Sequence, residues 1–186
     1  MYKGIKIFLL LLLFGNTLAQ NDIDFHAKEL VRALRKTGNQ EISGFSEIPV
    51  PALFSKHDTP NGIFFVNRIE DSGVKYIYVG RVYTCRADGC TLQPDIKGGM
   101  SAEYFDYFMF FDATLKIKLV RIFNYEASHG HEITARGWLK QFENYDGSKH
   151  LEVGKNIDAV SGATISVYGI THDVQLKSEM LRKLLN

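Results

Sequence analysis

The chain has 186 residues, of which 45% are hydrophobic, 12% aromatic and 23% charged. This suits one domain with a real core and excludes a disordered, collagenous or disulfide-dense chain. The 22 basic and 21 acidic residues leave a formal charge of +1 with histidine neutral. That balance excludes a nucleic-acid backbone binder, which needs surplus cations to displace counterions.

The first segment sets the compartment. Lys3 and Lys6 precede an apolar run from Ile7 to Phe14, and Gly15-Asn16-Thr17-Leu18-Ala19 follows. A basic start, a short apolar stretch and a small residue at the end describe a secretory signal peptide over 1–19. The apolar run is far shorter than the roughly 20 residues that span a bilayer. Cleavage near Ala19 removes two lysines and no acid, so the formal charge passes from +1 to −1. The expected mature protein is extracytoplasmic, periplasmic or secreted, and does not span a membrane after cleavage.

Residues 20–75 read as a helix and an irregular extension. Asn21 and Asp22 are candidate caps, and Ala27, Leu30, Val31 and Leu34 repeat with helical spacing. Gly38 ends that pattern. Three of the four prolines (Pro49, Pro51, Pro60) fall in the next stretch, which predicts irregular chain or short strands. Ile63–Val66 is strand-like, and Asp71-Ser72-Gly73 is a turn before a second strand from Tyr76.

That second strand runs through 81–84 to Cys85, with four residues between it and a partner, Cys90. An even cysteine count in an oxidising compartment predicts a disulfide, and Asp88-Gly89 supplies a turn between the two thiols. Closing so short a loop is worth about 2 kcal/mol in the chain-entropy model. A redox-active pair or a metal site are the other uses of such a pair.

Tyr104 to Phe111 is an aromatic strand. Asp112-Ala113-Thr114 turns the chain, and Leu115, Ile117 and Leu119 alternate with Lys116 and Lys118. This predicts a hairpin whose second arm has one wet face. His129-Gly130-His131-Glu132 would place two imidazoles on one face if extended. A short helix over 136–142 carries Trp138. Val167, Ile170, Val174, Leu181 and Leu184 then fall on one face of a closing helix. Lys177 shares that face, where its aliphatic stem can pack. The expected class is α+β, an antiparallel sheet with flanking helices, in one domain after the N-terminal helix.

The segment richest in chemistry is Asp158-Ala159-Val160-Ser161-Gly162-Ala163-Thr164-Ile165-Ser166, a loop of small residues that opens the closing helix. Free N–H groups at a helix start favour an anion, and the hydroxyls of Ser161, Thr164 and Ser166 add donors. By itself the segment reads equally as an ordinary helix cap.

Asp-x-x-Ser-Gly-Ala-Thr before an amphipathic helix resembles the flavinylation motif of the FMN-binding domain family. Flavin-bearing components of the sodium-translocating NADH:quinone reductase and of the Rnf electron-transfer complex belong to that family. The resemblance covers residues 76–186. It implies FMN joined by a phosphoester to Thr164, with Asp158, Ser161, Gly162 and Ala163 completing the motif. It also implies a flavin transferase that uses FAD and Mg²⁺, and redox partners that are membrane-linked or extracytoplasmic. Glu132, Thr134 and Gly137 correspond to the family's Glu-Thr-Pro-Gly-Leu-Gly stretch, here without its proline and with shifted spacing. Trp138, Tyr168 and the 104–111 run are candidates to contact the flavin ring.

A threonine hydroxyl is a poor nucleophile unaided, so the resemblance makes Thr164 an acceptor and not a catalyst. No residue is assigned to catalysis or to a metal. The chain reads as an electron carrier more than a stand-alone enzyme. Two other readings stay open: a module binding FMN or another phosphate ligand without a covalent bond, and a disulfide-stapled structural or adaptor domain.

Overall fold

The computed structural model describes residues 23–38, 41–51, 61–69, 73–84 and 103–185. The signal-peptide segment, the candidate caps Asn21 and Asp22, and both Cys85 and Cys90 lie outside the described residues. The described chain is α+β, with a five-stranded antiparallel sheet and helices on both faces.

Helix α1 spans Lys28–Lys36 and ends where Gly38 adopts φ +81°. The residue before it is Ala27, itself buried. A single 3-10 turn leads into strand β1, Phe45–Ile48. The sheet continues through β2 (Gly62–Asn67), β3 (Tyr76–Thr84), β4 (Glu103–Phe111) and β5 (Ile117–Tyr125). The strand order is that of the sequence, each strand pairing antiparallel with the next. The 75/76 division therefore falls between two paired strands of one sheet.

The sheet separates two apolar layers, and the side-chain period of two assigns residues to them. Tyr78, Val82, Phe105, Tyr107, Met109 and Phe111 face the layer that holds the closing helix α3, Thr164–Leu185. Ile77, Val79, Phe108 and Phe110 face the layer under α1, with Leu30 and Leu34. Burial on both faces explains why 104–111 reads as an aromatic run, interrupted by Met109 and by the ion-paired Asp106, and not as an alternation. Each fully buried leucine of α1 contributes about 1.5–3 kcal/mol by leaving water.

The predicted hairpin exists, but its second arm departs from the expected alternation. Leu115 lies in the turn at φ +65°, where Asp112 accepts from the N–H groups of Thr114 and Lys116. Register shifts between β4 and β5 leave Lys118 and Phe123 without a directly opposed partner. An inserted residue of this kind flips the side chains beyond it to the other face. Ile117, Val120 and Ile122 consequently enter the α3 layer, while Leu119 and Phe123 pack under α1. Lys116 and Lys118 are exposed as expected, but beyond them Leu119 and Phe123 pack against the α1 layer, so that face of the arm is wet only at its start.

After β5 the chain forms a 3-10 turn at His131–Thr134. The short helix α2, Arg136–Leu139, then continues as a 3-10 turn through Phe142. Along α3, Val167, Ile170, Val174 and Leu181 are buried as the spacing predicts, and so is Lys177 at 3% exposure. The Lys177 ammonium lies 3.2 Å from an Asp173 carboxylate oxygen, whose other oxygen accepts from Tyr107 Oη at 2.5 Å. Among the described residues no helix is long and apolar enough to cross a membrane.

Candidate functional site

The loop 158–163 and the first turn of α3 stand at the end of the α3 layer. Asp158 is exposed, but its backbone is held on both sides. Its carbonyl accepts from Trp138 Nε1 at 3.0 Å, and its N–H donates to Gln141 Oε1 at 2.7 Å. Gln141 Nε2 in turn donates to the Trp138 carbonyl, which closes a small ring of bonds between α2 and the loop. Trp138 is itself fixed edge-on against buried Phe142, with ring centroids 5.6 Å apart.

Ala163 donates to the Val160 carbonyl and is buried, which anchors the loop at its far end. Between the anchors, Ser161 and Gly162 are exposed, and Gly162 takes φ +79°, a conformation that costs glycine least. Thr164 is the first residue of α3 and is exposed. Among the described residues, neither the Ser161 nor the Thr164 hydroxyl takes part in a hydrogen bond. The bond from Val167 N–H to the Ala163 carbonyl marks the first full turn. The N–H groups of Thr164, Ile165 and Ser166 precede it and are donors without a carbonyl one turn back. The site therefore offers exposed hydroxyls beside free backbone donors at the positive end of a 22-residue helix.

Ser166 differs from the expectation that it adds a free donor. It is buried and bonded to Tyr125, with 2.8 Å between the two oxygens. Tyr125 Oη spends its single proton on the His129 carbonyl at 2.6 Å, so Ser166 is the donor of the pair. Burial raises the Tyr125 hydroxyl above its ordinary range; the Ser166 bond works against that shift and the carboxylates of Glu132 and Glu103 add to it.

Tyr125 also stacks on Phe105, 5.7 Å between centroids with planes 5° apart. Gly130 makes this junction possible. At φ +89° it brings its segment so close to α3 that an added Cβ would lie 2.8 Å from Ser166 Oγ and 2.9 Å from Tyr125 Oη. The His129–Glu132 segment is thus turned and not extended: Gly130 is left-handed and His131 opens a 3-10 turn, edge-on to Tyr125.

Of the expected contact residues, the fold brings Trp138 onto the loop through the Asp158 carbonyl. Glu132 and Thr134 lie in the neighbouring 3-10 turn, Glu132 exposed and Thr134 half-buried, and no hydrogen bond joins either to the loop. Among the aromatic candidates, Phe105 to Phe111 are core residues. Tyr168, one turn beyond Thr164, is 57% exposed and available. Gln141, Tyr125 and Gly130 carry structural roles at the site that spacing did not mark. The glycine between two histidines was the one local hint of a tight approach.

A cavity of about 260 Å³ opens on α3 between Tyr168 and Glu179, walled by 150–153. Gln175 holds that wall by accepting from Leu151 N–H at 2.9 Å. Asn156 braces the same wall through the His150 carbonyl and the Glu152 N–H. Thr171 lines the cavity, and its buried hydroxyl has no hydrogen-bond partner. A larger concavity of about 540 Å³ follows the basic side of α1, across the sheet from the loop. Among the described residues no cluster of three histidine, cysteine or acidic side chains could hold a metal ion. Comparison with protein-family models, curated proteins and solved structures finds no match for this chain.

Proposed function

We propose that the chain is an exported electron-transfer flavoprotein that carries FMN through a phosphoester on Thr164. The observation that carries this reading is the pairing of an exposed, unbonded Thr164 hydroxyl with the free N–H groups of the first turn of α3. The motif resemblance names the same residue. A helix start is a ready anion site, so a phosphoryl group at Thr164 sits where backbone donors and the helix dipole stabilise it.

The residues present fit such a group. Ser161 Oγ and the N–H groups of Thr164 and Ile165 would hold the phosphate. Gly162 removes a side chain from the approach, which lets a transferase reach the hydroxyl. Trp138 and Gln141 fix the Asp158 end of the loop, so the exposed hydroxyl is presented from a rigid base. In the transfer itself the Thr164 oxygen bonds to the FMN phosphorus of FAD as the pyrophosphate bond breaks. AMP leaves, and the hydroxyl proton passes to the transferase. When bound, the flavin supplies the redox chemistry, and the protein supplies position and electrostatics. A covalent bond also keeps the cofactor on a protein outside the cytoplasm, where lost FMN is not replaced.

The test is expression with a flavin transferase, followed by denaturing electrophoresis and flavin fluorescence. Fluorescence that survives denaturation and disappears in Thr164→Ala is the expected result. Flavin that is released on denaturation would leave only a non-covalent module. Absence of flavin with an active transferase present would refute both readings.

A further inference from the structure

We propose that the cavity between α3 and the 150–153 wall seats the aromatic ring system of the group carried on Thr164; this rests on the covalent-flavin reading above. Helical geometry places the cavity in line with the attachment point. At 100° and 1.5 Å per residue, Tyr168, Thr171 and Gln175 lie within about 40° of Thr164 around the axis, at about 6, 10 and 16 Å along it. A chain that starts at the Thr164 hydroxyl and follows that strip enters the cavity past Tyr168.

Size and lining match one planar group and not a whole cofactor. The volume of about 260 Å³ falls just below the usual range for complete small-molecule pockets. The phosphate and its polyol arm then stay outside, on the helix start. Leu151, Val153 and Leu176 give apolar walls, while His172, Gln175 and Thr171 give a polar edge that His150 and the carboxylates of Glu152 and Glu179 extend. A flavin ring has that same division, with apolar faces and an edge of nitrogen and oxygen donors and acceptors.

Two details point to an occupant. Tyr168 exposes 57% of its surface at the mouth, where an apolar ring would cover it. Thr171 is 4% exposed with an unpartnered hydroxyl. Buried polar groups are almost always bonded, so this exception calls for a partner, and a turn about χ1 offers the hydroxyl to the polar edge of the ring. Gln175 is already committed to Leu151 and Glu179, which makes it a fixed rim and leaves Thr171 and His172 as the adaptable groups.

The experiment uses the full chain loaded by a co-expressed transferase, with Tyr168→Ala, Thr171→Val and Trp138→Phe variants. Intact mass reads attachment, and native absorption and flavin fluorescence read the surroundings of the ring. Both pocket changes are mild for the fold: Tyr168 is exposed, and Thr171→Val keeps the shape while removing an orphan hydroxyl. Full attachment in Tyr168→Ala and Thr171→Val is expected, with fluorescence rising severalfold in Tyr168→Ala and an absorption shift in Thr171→Val. Full attachment in those two variants with spectra unchanged in both, or spectra altered only in Trp138→Phe, overturns the pocket assignment while leaving the covalent reading intact. A wild-type chain without covalent flavin removes the reading on which the assignment rests.

Discussion

Thr164 and Ser166 are two residues apart on one helix, yet only Thr164 is open to solvent, because Ser166 is bonded to Tyr125 beneath the 129–130 segment. Local sequence treats the two hydroxyls alike; a strand end 41 residues away decides between them. The same holds for Lys177. Its place on the apolar face of α3 and its packed stem were legible from spacing. Its partner Asp173 and the bond from Tyr107 to Asp173 were not, since that contact crosses 66 residues. Breaking a buried pair from one side leaves an unpaired charge, so Asp173→Ala is expected to cost about 3 kcal/mol in urea unfolding. Lys177→Met should cost clearly less, because the apolar chain fills the same space and the Asp173 carboxylate, 16% exposed, keeps Tyr107 and reaches solvent, whereas Asp173→Ala strands an ammonium at 4% exposure. Equal losses in the two variants would contradict this account of the pair.

The elements were mostly legible because each carries one clear period. The 3.6-residue period marked α1 and α3, and the turn residues 112–114 marked the β4–β5 hairpin. What failed was facing within β5. Two register shifts, invisible in the alternation of Leu115, Ile117 and Leu119 with lysines, redirect its side chains to both layers. The packing of Leu119 and Phe123 against the α1 layer was also hidden, because nothing local says where a helix docks. In the same way α2 has an unexpected function as a clamp. Trp138 Nε1 and Gln141 Oε1 bind the Asp158 carbonyl and N–H respectively. Trp138→Phe keeps the ring against Phe142 and deletes only the bond to the loop, which is worth about 1 kcal/mol. Amide exchange should then speed up over 158–163 and remain unchanged in β3 and β4. Uniform acceleration across the chain would mean that the tryptophan supports the core and not the loop. Gly130→Ala should be harsher than the clamp variant, since it combines a φ of +89° with contacts at 2.8 and 2.9 Å.

Across the whole molecule, one meander with helices on both faces buries several phenols, and this gives stability a pH dependence. Burial, with Glu179 and Asp146 adding and Arg182 opposing, pushes the Tyr145 hydroxyl up to about 12. Burial and the Asp173 carboxylate hold Tyr78 and Tyr107 well above the ordinary range. Each phenol ionises near pH 10 when unfolded, so the unfolded chain releases protons that the folded chain keeps. Their stabilisation is complete below about pH 10 and falls as pH rises toward 12. Tyr145→Phe should flatten that fall, and an unchanged slope would show that this phenol does not contribute to it. The segment 20–75, unplaced by any motif, supplies α1, β1 and β2 and so completes the sheet and covers one face. Sequence marked the 158–164 loop because its small and hydroxyl residues stand out from the apolar periods around it, although Ala163 and Val160 also pack against the core. The clamp, the cavity and the junction at Gly130 stayed hidden because they are tertiary. The most direct test of the account is the mass of the peptide that carries Thr164, taken from chain expressed with a flavin transferase. The predicted result is that peptide heavier by FMN less water, with the adduct on Thr164 and none in Thr164→Ala. An unmodified peptide, or an adduct on Ser161 that persists in Thr164→Ala, would contradict it.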